Sequence, residues 1–275
     1  MALVLGIYEE LIEAIKSFDT VLVKKLMSLN IQDAVNHTSW RFLLAVGIGI
    51  LTAIFTLARV LSWLLQNQPV LIWSFFFGLI CASILIVSRN IDKWSFSTIA
   101  FVVLGSICIY ALIGIVPAQT PDTPWFLFMS GVIAICAMIL PGISGSFILV
   151  LLGKYHYILE AVNNRDIITI LLVGAGAIAG LITFVRLLNW LLSNYYDFTI
   201  ALLTGLMLGS LRKIWPWKEE SIPNGIEEFH GNTMAAIQHN ILPSHWNNEV
   251  TIAFLLAMTG FLAVFAMNYL VSKKP

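Results

Sequence analysis

A short run of proline, glycine and serine lies in the middle of a long apolar stretch, at residues 141–146. Proline removes a backbone donor and glycine permits open turns, so the run predicts a break between two helices. The N–H groups that open the second helix, together with the serine hydroxyls, are suited to binding an anion. The alternative is a structural kink satisfied by neighbouring helices. The candidate binding positions in this run are Pro141, Gly142, Ser144, Gly145 and Ser146.

Four charged residues in apolar surroundings are further candidates, because charge is costly at bilayer depth. Arg59 and Arg186 each lie inside a predicted membrane span. Arginine can hold phosphate through two hydrogen bonds while staying charged, although an arginine near a helix end can also extend to the membrane surface. Glu13 and Glu160 could carry H⁺ or Na⁺ in coupled transport, and a solvated helix face is the alternative.

The composition predicts an integral membrane protein. Of its 275 residues, 59% are hydrophobic and only 11% are charged, whereas soluble domains carry about 25% charged residues. The 15 basic and 15 acidic residues cancel, so no charge excess indicates a nucleic-acid partner. The cysteines and histidines lack the spacing of metal ligands, and neither a metal nor a cofactor is predicted.

Uncharged stretches locate the membrane segments. The uncharged run 123–153 would span about 46 Å as one helix, beyond a bilayer core of about 30 Å. Two half-helices that meet at the Pro-Gly run, forming a re-entrant hairpin, are therefore predicted there. The predicted full spans are residues 41–65, 70–88, 96–116, 167–193, 197–212 and 249–271.

An internal repeat relates the two halves of the chain. An offset of 127 residues places Arg59 on Arg186 and Trp63 on Trp190, within a longer matched stretch. Chance similarity of apolar segments would not reproduce arginine and tryptophan in register.

A second match extends the repeat to the hairpins. An offset of 147 residues relates Leu-Gly-Ile-Tyr at 5–8 to Leu-Gly-Lys-Tyr at 152–155, and it pairs Glu13 with Glu160. The same offset places the first copy of the Pro-Gly turn just upstream of Met1. The first hairpin is therefore expected to be incomplete, through a late start codon or a truncation.

The predicted fold is an all-α integral membrane domain of two repeats, residues 1–122 and 123–275. Each repeat is a re-entrant helical hairpin followed by three transmembrane helices. Because three is odd, the second repeat enters from the opposite side, an inverted repeat typical of secondary transporters. The positive-inside rule places both termini in the cytoplasm, although Arg212, Lys213 and Lys218 then lie outside.

The run 141–149, continuing into Leu-Gly-Lys-Tyr at 152–155, resembles the second-repeat signature of the bacterial polyprenyl-phosphate transporter family, PopT. The tail of that family's first-repeat signature is similar to Leu-Gly-Ile-Tyr-Glu at 5–9. The resemblance covers essentially the whole chain. It implies transport of undecaprenyl phosphate across the bacterial cytoplasmic membrane for recycling of this carrier lipid. It also implies a transporter, not an enzyme, whose partners are polyprenyl phosphate, bilayer lipids and a coupling H⁺ or Na⁺.

Other functions stay open at this point. A membrane phosphatase acting on undecaprenyl diphosphate would need a nucleophile or base beside clustered carboxylates, and only Ser144 lies near the turn. A carrier of a small soluble anion would use the same turn without a lipid tail. A non-transporting scaffold is a further alternative.

Overall fold

The computed structural model describes residues 40–115, 120–221, 237–243 and 245–272. These residues form nine helices and one pair of short strands. The helices are α1 (Trp40–Asn67), α2 (Pro69–Ser88), α3 (Phe96–Ile113), α4 (Pro124–Ile139), α5 (Gly145–Leu151), α6 (Tyr155–Asn163), α7 (Ile167–Asn194), α8 (Tyr196–Ile214) and α9 (Asn248–Ser272). The strands are β1 (Lys218–Ser221) and β2 (Ile237–Asn240), which pair antiparallel.

Local sequence signals set several helix ends. Pro69 and Pro124 occupy the first turns of α2 and α4, where a missing N–H costs nothing. Ser95 accepts a hydrogen bond from the Thr98 backbone N–H, and the Thr98 hydroxyl accepts one from the Ser95 N–H, a capping box that begins α3. The Asp166 carboxylate caps α7 by accepting hydrogen bonds from the backbone N–H groups of Ile168 and Thr169.

Among the described residues, four helices are long and apolar enough to cross a membrane, namely α2, α3, α7 and residues 248–270 of α9. The number rises to six if each of two bent helix pairs is counted as one span. Large apolar side chains cover the outer faces of these helices, as Ile107 on α3 and Leu171 on α7 show. An apolar surface of this extent is stable only against lipid. The chain is a multi-pass membrane protein.

The predicted span 197–212 forms α8, but α8 is not one of the four candidate spans. It begins with Asp197 and ends with Arg212 and Lys213, which lowers its hydropathy. Most of its middle is buried against other helices, as the fully buried Ile200 and Ser210 show. Protein neighbours shield it from lipid, so the helix tolerates polar residues that a lipid-facing span would exclude.

Two helix pairs join distant parts of the chain. α8 packs along α3, and α9 packs along α2, while α2 and α8 contact each other between these pairs. The backbones approach closely at glycines: a Cβ on Gly205 would lie 2.2 Å from the Val102 carbonyl oxygen, and one on Gly78 would lie 1.9 Å from that of Ala257. Small residues permit such close approach of membrane helices. We call α2, α3, α8 and α9 the central group.

A second set of helices lies beside the central group. α4 packs along α7, α5 packs against α4, and α6 contacts both α5 and α7. We call α4 to α7 the hairpin group, because it contains the Pro-Gly turn. α7 and α8, which are consecutive in the chain, contact each other and so join the two groups.

The strand pair was not predicted, since an all-α chain was expected. β1 and β2 lie in the long polar segment after α8, with Lys218 opposite Asn240 and Glu219 opposite His239. The Asn240 side chain donates to the Arg212 carbonyl oxygen at 2.8 Å, which holds the pair against the end of α8. The described fold is mostly helical with this one short exception.

Candidate functional site

The apolar run 123–153 is broken where the sequence predicts. α4 ends at Ile139 and α5 begins at Gly145. Gly142 lies between them with a φ of +95°, a left-handed conformation that side chains with a Cβ rarely adopt. A Cβ there would also lie 2.9 Å from the Ser210 hydroxyl on α8. Both the backbone conformation and the close approach to α8 therefore require glycine in this turn.

The turn ends in a pair of hydroxyls. Ser144 precedes α5 but does not cap it with its side chain. Instead the Ser144 and Ser146 hydroxyl oxygens are 2.7 Å apart, and both residues are exposed. α5 has only seven residues, so its helix dipole is small and the side chains supply most of the local polarity.

A cavity of about 500 Å³ lies between the turn and the central group. Its wall is mainly apolar and comes from both groups, with Trp73, Ile109 and Ile113 on one side and Phe147 and Val150 on the other. Its polar lining consists of Gly142, Ser144, Ser146, Tyr155 and Lys213. This combination suits a ligand with a small polar head and an apolar body.

Two lysine side chains, Lys213 and Lys218, lie at or beside the polar end of this cavity. The Lys213 Nζ lies 5.2 Å from the centre of the Phe147 ring, so it reaches from α8 across to α5. The Lys218 Nζ lies 4.9 Å from the centre of the Trp73 ring and donates to the Lys213 carbonyl oxygen at 2.6 Å. Burial, and secondarily the positive charge of Lys213, lower the pKa of Lys218 to about 8.

Among the described residues, neither Lys213 nor Lys218 forms an ion pair. In the ranges that the structure describes, the ion pair found joins Lys154 to Asp122, away from Lys213 and Lys218. Arg212 is engaged elsewhere, since it donates to the Tyr110 carbonyl oxygen at 2.7 Å and lies 4.2 Å from the centre of that ring. One lysine, Lys213, therefore lines the cavity and a second, Lys218, lies beside it, and neither is paired with a carboxylate among the described residues.

A second, more open cleft of about 370 Å³ lies at the opposite end of α8. It is lined by Asp92 and residues 194–198. The Asp92 backbone N–H donates to the Asp197 carboxylate at 3.1 Å, which links the α2–α3 connection to the start of α8.

A buried ion pair anchors the far end of α5. Lys154 is only 1% exposed, and its ammonium contacts the Asp122 carboxylate and donates to the Thr120 carbonyl oxygen at 2.6 Å. The Thr120 hydroxyl in turn donates to the Leu152 carbonyl oxygen. The corner between α5 and α6, where the axes turn by 106°, is thus tied to the segment that precedes α4.

The structure brings together some of the predicted site residues. Gly142, Ser144 and Ser146 line the cavity, and Pro141 and Gly145 belong to the same turn. Arg59 and Arg186 are exposed on α1 and α7, and neither lines the cavity. Glu160 is exposed on α6, whereas Glu13 lies outside the described residues. No cluster of three or more potential metal ligands occurs in the described ranges.

Lys213, which lines the cavity, and the neighbouring Lys218 were not predicted from the sequence as candidate site residues. The repeat could not identify Lys213, because the offset of 127 residues places it on Ile86, an apolar residue. Lys218 follows α8 in a polar segment whose folding against Trp73 is a tertiary feature. One sequence feature could have indicated these two lysines. The predicted topology places them outside the cytoplasm, against the positive-inside rule, which suggests a role other than setting topology.

Comparisons with known proteins identify a family and two relatives. The chain matches the model of a family described as VCA0040-like, undecaprenyl phosphate translocase-like, over residues 1–225. It is 39% identical over 269 residues to a polyprenyl-phosphate transporter of Vibrio cholerae, covering 97% of this chain and 87% of that protein. It is 29% identical over 196 residues to a polyprenyl-phosphate transporter of Staphylococcus aureus, covering 65% of this chain and 69% of that protein.

No solved structure matches the fold at a significant level. The match to the family model spans most of the chain. The relative from Vibrio cholerae is more than one third identical to this chain over nearly the whole length of this chain. The chain belongs to the undecaprenyl phosphate translocase-like family of membrane transporters.

Proposed function

We propose that this protein carries undecaprenyl phosphate across the bacterial cytoplasmic membrane, so that the carrier lipid is used again. The observation that carries the proposal is the cavity beside the Pro-Gly turn. Its polar end has two serine hydroxyls and Lys213, and the rest of its wall is apolar. A phosphate ester of a long apolar alcohol likewise has a polar head and an apolar body. Two relatives of this protein are named polyprenyl-phosphate transporters.

The headgroup is placed at Ser144 and Ser146. Each hydroxyl can donate a hydrogen bond to a phosphate oxygen, and their present mutual contact at 2.7 Å uses only one donor. The first prenyl units lie along the apolar wall formed by Ile109, Ile113 and Val150. The remainder of the tail stays in lipid between the helices.

The repeat is proposed to be an inverted one, with a re-entrant hairpin in each half. Helix bounds support it: α1 and α7 both have 28 residues, and the offset of 127 residues relates both of their ends. The same offset relates α2 to α8 and leaves α3 to correspond to α9, so the packing of α8 on α3 and the packing of α9 on α2 are equivalent contacts. The contact between α2 and α8, which are equivalent helices, is consistent with a two-fold relation at the centre.

This packing favours one choice of moving parts. Helices of both repeats pack against each other in the central group, so the two repeats are not expected to move relative to each other as separate rigid bodies. We propose that the hairpin group moves against the central group, since the cavity lies between them. Movement that opens the cleft at the other end of α8 would expose the headgroup to the opposite side. Both chain termini are placed in the cytoplasm, and Glu160 is a candidate for H⁺ or Na⁺ coupling.

The decisive experiment is transport in proteoliposomes. Purified protein should expose undecaprenyl phosphate at the opposite leaflet faster than protein-free vesicles do. Ser144→Ala with Ser146→Ala should slow this exposure, and Ser193→Ala, an exposed serine outside the cavity, should not. Equal rates with and without protein would exclude the proposed function.

Arg59 and Arg186 need a separate test, because they lie outside the cavity. A phosphate-binding role requires the headgroup to reach the outer faces of α1 and α7 during transport. Arg59→Ala and Arg186→Ala would then slow transport. If both variants transport at the normal rate, these arginines do not bind the substrate and the cavity alone does.

The competing functions give different results in the same vesicles. A diphosphate phosphatase would release inorganic phosphate from undecaprenyl diphosphate. A carrier of a small soluble anion would move that anion at a rate unaffected by prenyl phosphate. The apolar wall of the cavity favours neither of these over a lipid substrate.

A further inference from the structure

Two lysines that were not predicted as site residues lie at or beside the polar end of the cavity. Lys213 belongs to α8, and its ammonium lies against Phe147, the residue that follows Ser146. Lys218 lies against Trp73, another residue that lines the cavity, and its ammonium donates to the Lys213 carbonyl oxygen. Lys213 thus lines the cavity and Lys218 lies beside it, and an aromatic ring contacts each ammonium group.

We propose that Lys213 and Lys218 form a two-lysine clamp that binds the phosphate monoester group of the ligand. This inference rests on the proposed function and deepens it. The positive charges of the proposed site then come from Lys213 at the end of α8 and from Lys218 in β1. Both lysines lie outside the Pro-Gly turn.

Charge balance supports the clamp. A phosphate monoester carries about −1.5 to −2 charges at pH 7, and two lysines supply a matching positive charge. In the described part of the chain neither ammonium contacts a carboxylate. Arg212, which precedes Lys213 in the chain, is held on Tyr110 and donates to its carbonyl oxygen. An anion in the cavity would supply a counter-charge to the two lysines.

Geometry supports it as well. Lys213 and the two serine hydroxyls line the same cavity from opposite sides, so one phosphate between them can accept hydrogen bonds from both groups of helices. Lys218 is half-buried, and a cation removed from water gains more from an anion than a fully hydrated one does. The phosphate would consequently link α8 to the Pro-Gly turn.

Binding of short prenyl phosphates to purified full-length protein tests the clamp. Farnesyl phosphate is the probe, with farnesol and inorganic phosphate as separate arms that distinguish a lipid headgroup from free phosphate. Lys213→Gln and Lys218→Gln should each weaken farnesyl phosphate binding by about tenfold or more, as expected for a lost charge-assisted hydrogen bond. Lys93→Gln, which removes an exposed lysine outside the cavity, should leave the affinity unchanged.

The outcomes separate the clamp from the proposed function. If farnesyl phosphate binds to the wild-type protein more tightly than farnesol but both lysine variants bind it normally, the clamp is refuted and the proposed function stands. If farnesyl phosphate and farnesol bind equally well to the wild-type protein, the proposed function itself fails. Tight binding of inorganic phosphate alone, without a gain from the prenyl chain, would indicate a soluble-anion site. Lys213→Arg should keep more affinity than Lys213→Gln if the charge is what matters.

Discussion

At the residue scale, two buried or half-buried lysines differ in what surrounds them. Lys154 has a carboxylate, a carbonyl oxygen and the rings of Phe126 and Tyr157 around its ammonium. Lys218 has a ring, a carbonyl oxygen and another lysine nearby. The first has an acidic partner, whereas the second has none among the described residues and is proposed to bind an anion.

The affinity for a prenyl phosphate should therefore depend on pH. Burial and Lys213 lower the pKa of Lys218 to about 8, and a bound phosphate would raise it, so binding favours the protonated lysine. Affinity should be greatest between about pH 6, where the phosphate becomes a dianion, and pH 8, and should fall as the pH rises further. Titration calorimetry across this range measures it. Lys218→Gln should remove the decline near pH 8, and a persistent decline would assign it to another group.

The Lys154–Asp122 pair should make an asymmetric contribution to stability. Lys154 is 1% exposed and the Asp122 side chain is 54% exposed, so removing the carboxylate leaves a buried charge and removing the lysine leaves a solvated one. Asp122→Asn should lower the free energy of unfolding by about 1–3 kcal/mol. Lys154→Met, which keeps the apolar stem, should cost less. Thermal unfolding of the two purified variants compares them, and an equal or reversed order would contradict this explanation.

At the element scale, backbone contact between helices determines where glycine is required. Gly176 and Gly174 lie two residues apart on α7, but only Gly176 faces α4. A Cβ at Gly176 would lie 2.0 Å from the Phe128 carbonyl oxygen, whereas one at Gly174 would have no atom within 4 Å. The sequence alone shows both as glycines of one apolar span.

These two positions make a matched pair of variants. Gly176→Ala should force α4 and α7 apart and lower the free energy of unfolding by about 1–3 kcal/mol. Gly174→Ala should be neutral or slightly stabilising, because alanine favours the helix by up to about 1 kcal/mol. Unfolding midpoints in detergent provide the measurement. A similar loss in both variants would show that the close contact is not what matters.

At the scale of the whole molecule, the arrangement of helix groups defines how the transporter can change shape. Two consecutive helices, α7 and α8, join the hairpin group to the central group. The cavity lies between the groups and the second cleft lies at the other end of α8. A relative movement of the two groups would therefore change which of these openings is accessible.

Cross-linking across the cavity should stop transport. In a variant without native cysteines, Ile113→Cys on α3 and Val150→Cys on α5 place thiols on opposite walls. A bifunctional thiol reagent should block exposure of undecaprenyl phosphate in vesicles. Each single-cysteine variant treated with the same reagent is the control. Normal transport by the cross-linked protein would refute movement between these groups.

Much of this architecture could be predicted from the sequence for local reasons. Hydropathy located α2, α3, α7 and α9, because each span must satisfy its own backbone in lipid. Turn chemistry located the break at residues 140–144, since Gly142 has a conformation that suits glycine. The matching ends of α1 and α7 follow from a repeat that is visible in arginine and tryptophan.

Other features depended on contacts between distant segments. Which face of α7 is buried depends on α4, so the sequence could not show that Arg186 is exposed and away from the cavity. Packing of α8 on α3 and of α9 on α2 interleaves the two halves. Lys213 lines the cavity and Lys218 lies beside it only because α8 and the strand pair fold against Phe147 and Trp73. The sequence by itself determined the spans, the break and the serines, through hydropathy and turn chemistry. Only the tertiary structure decided which charges face the cavity, because helix packing sets side-chain orientation.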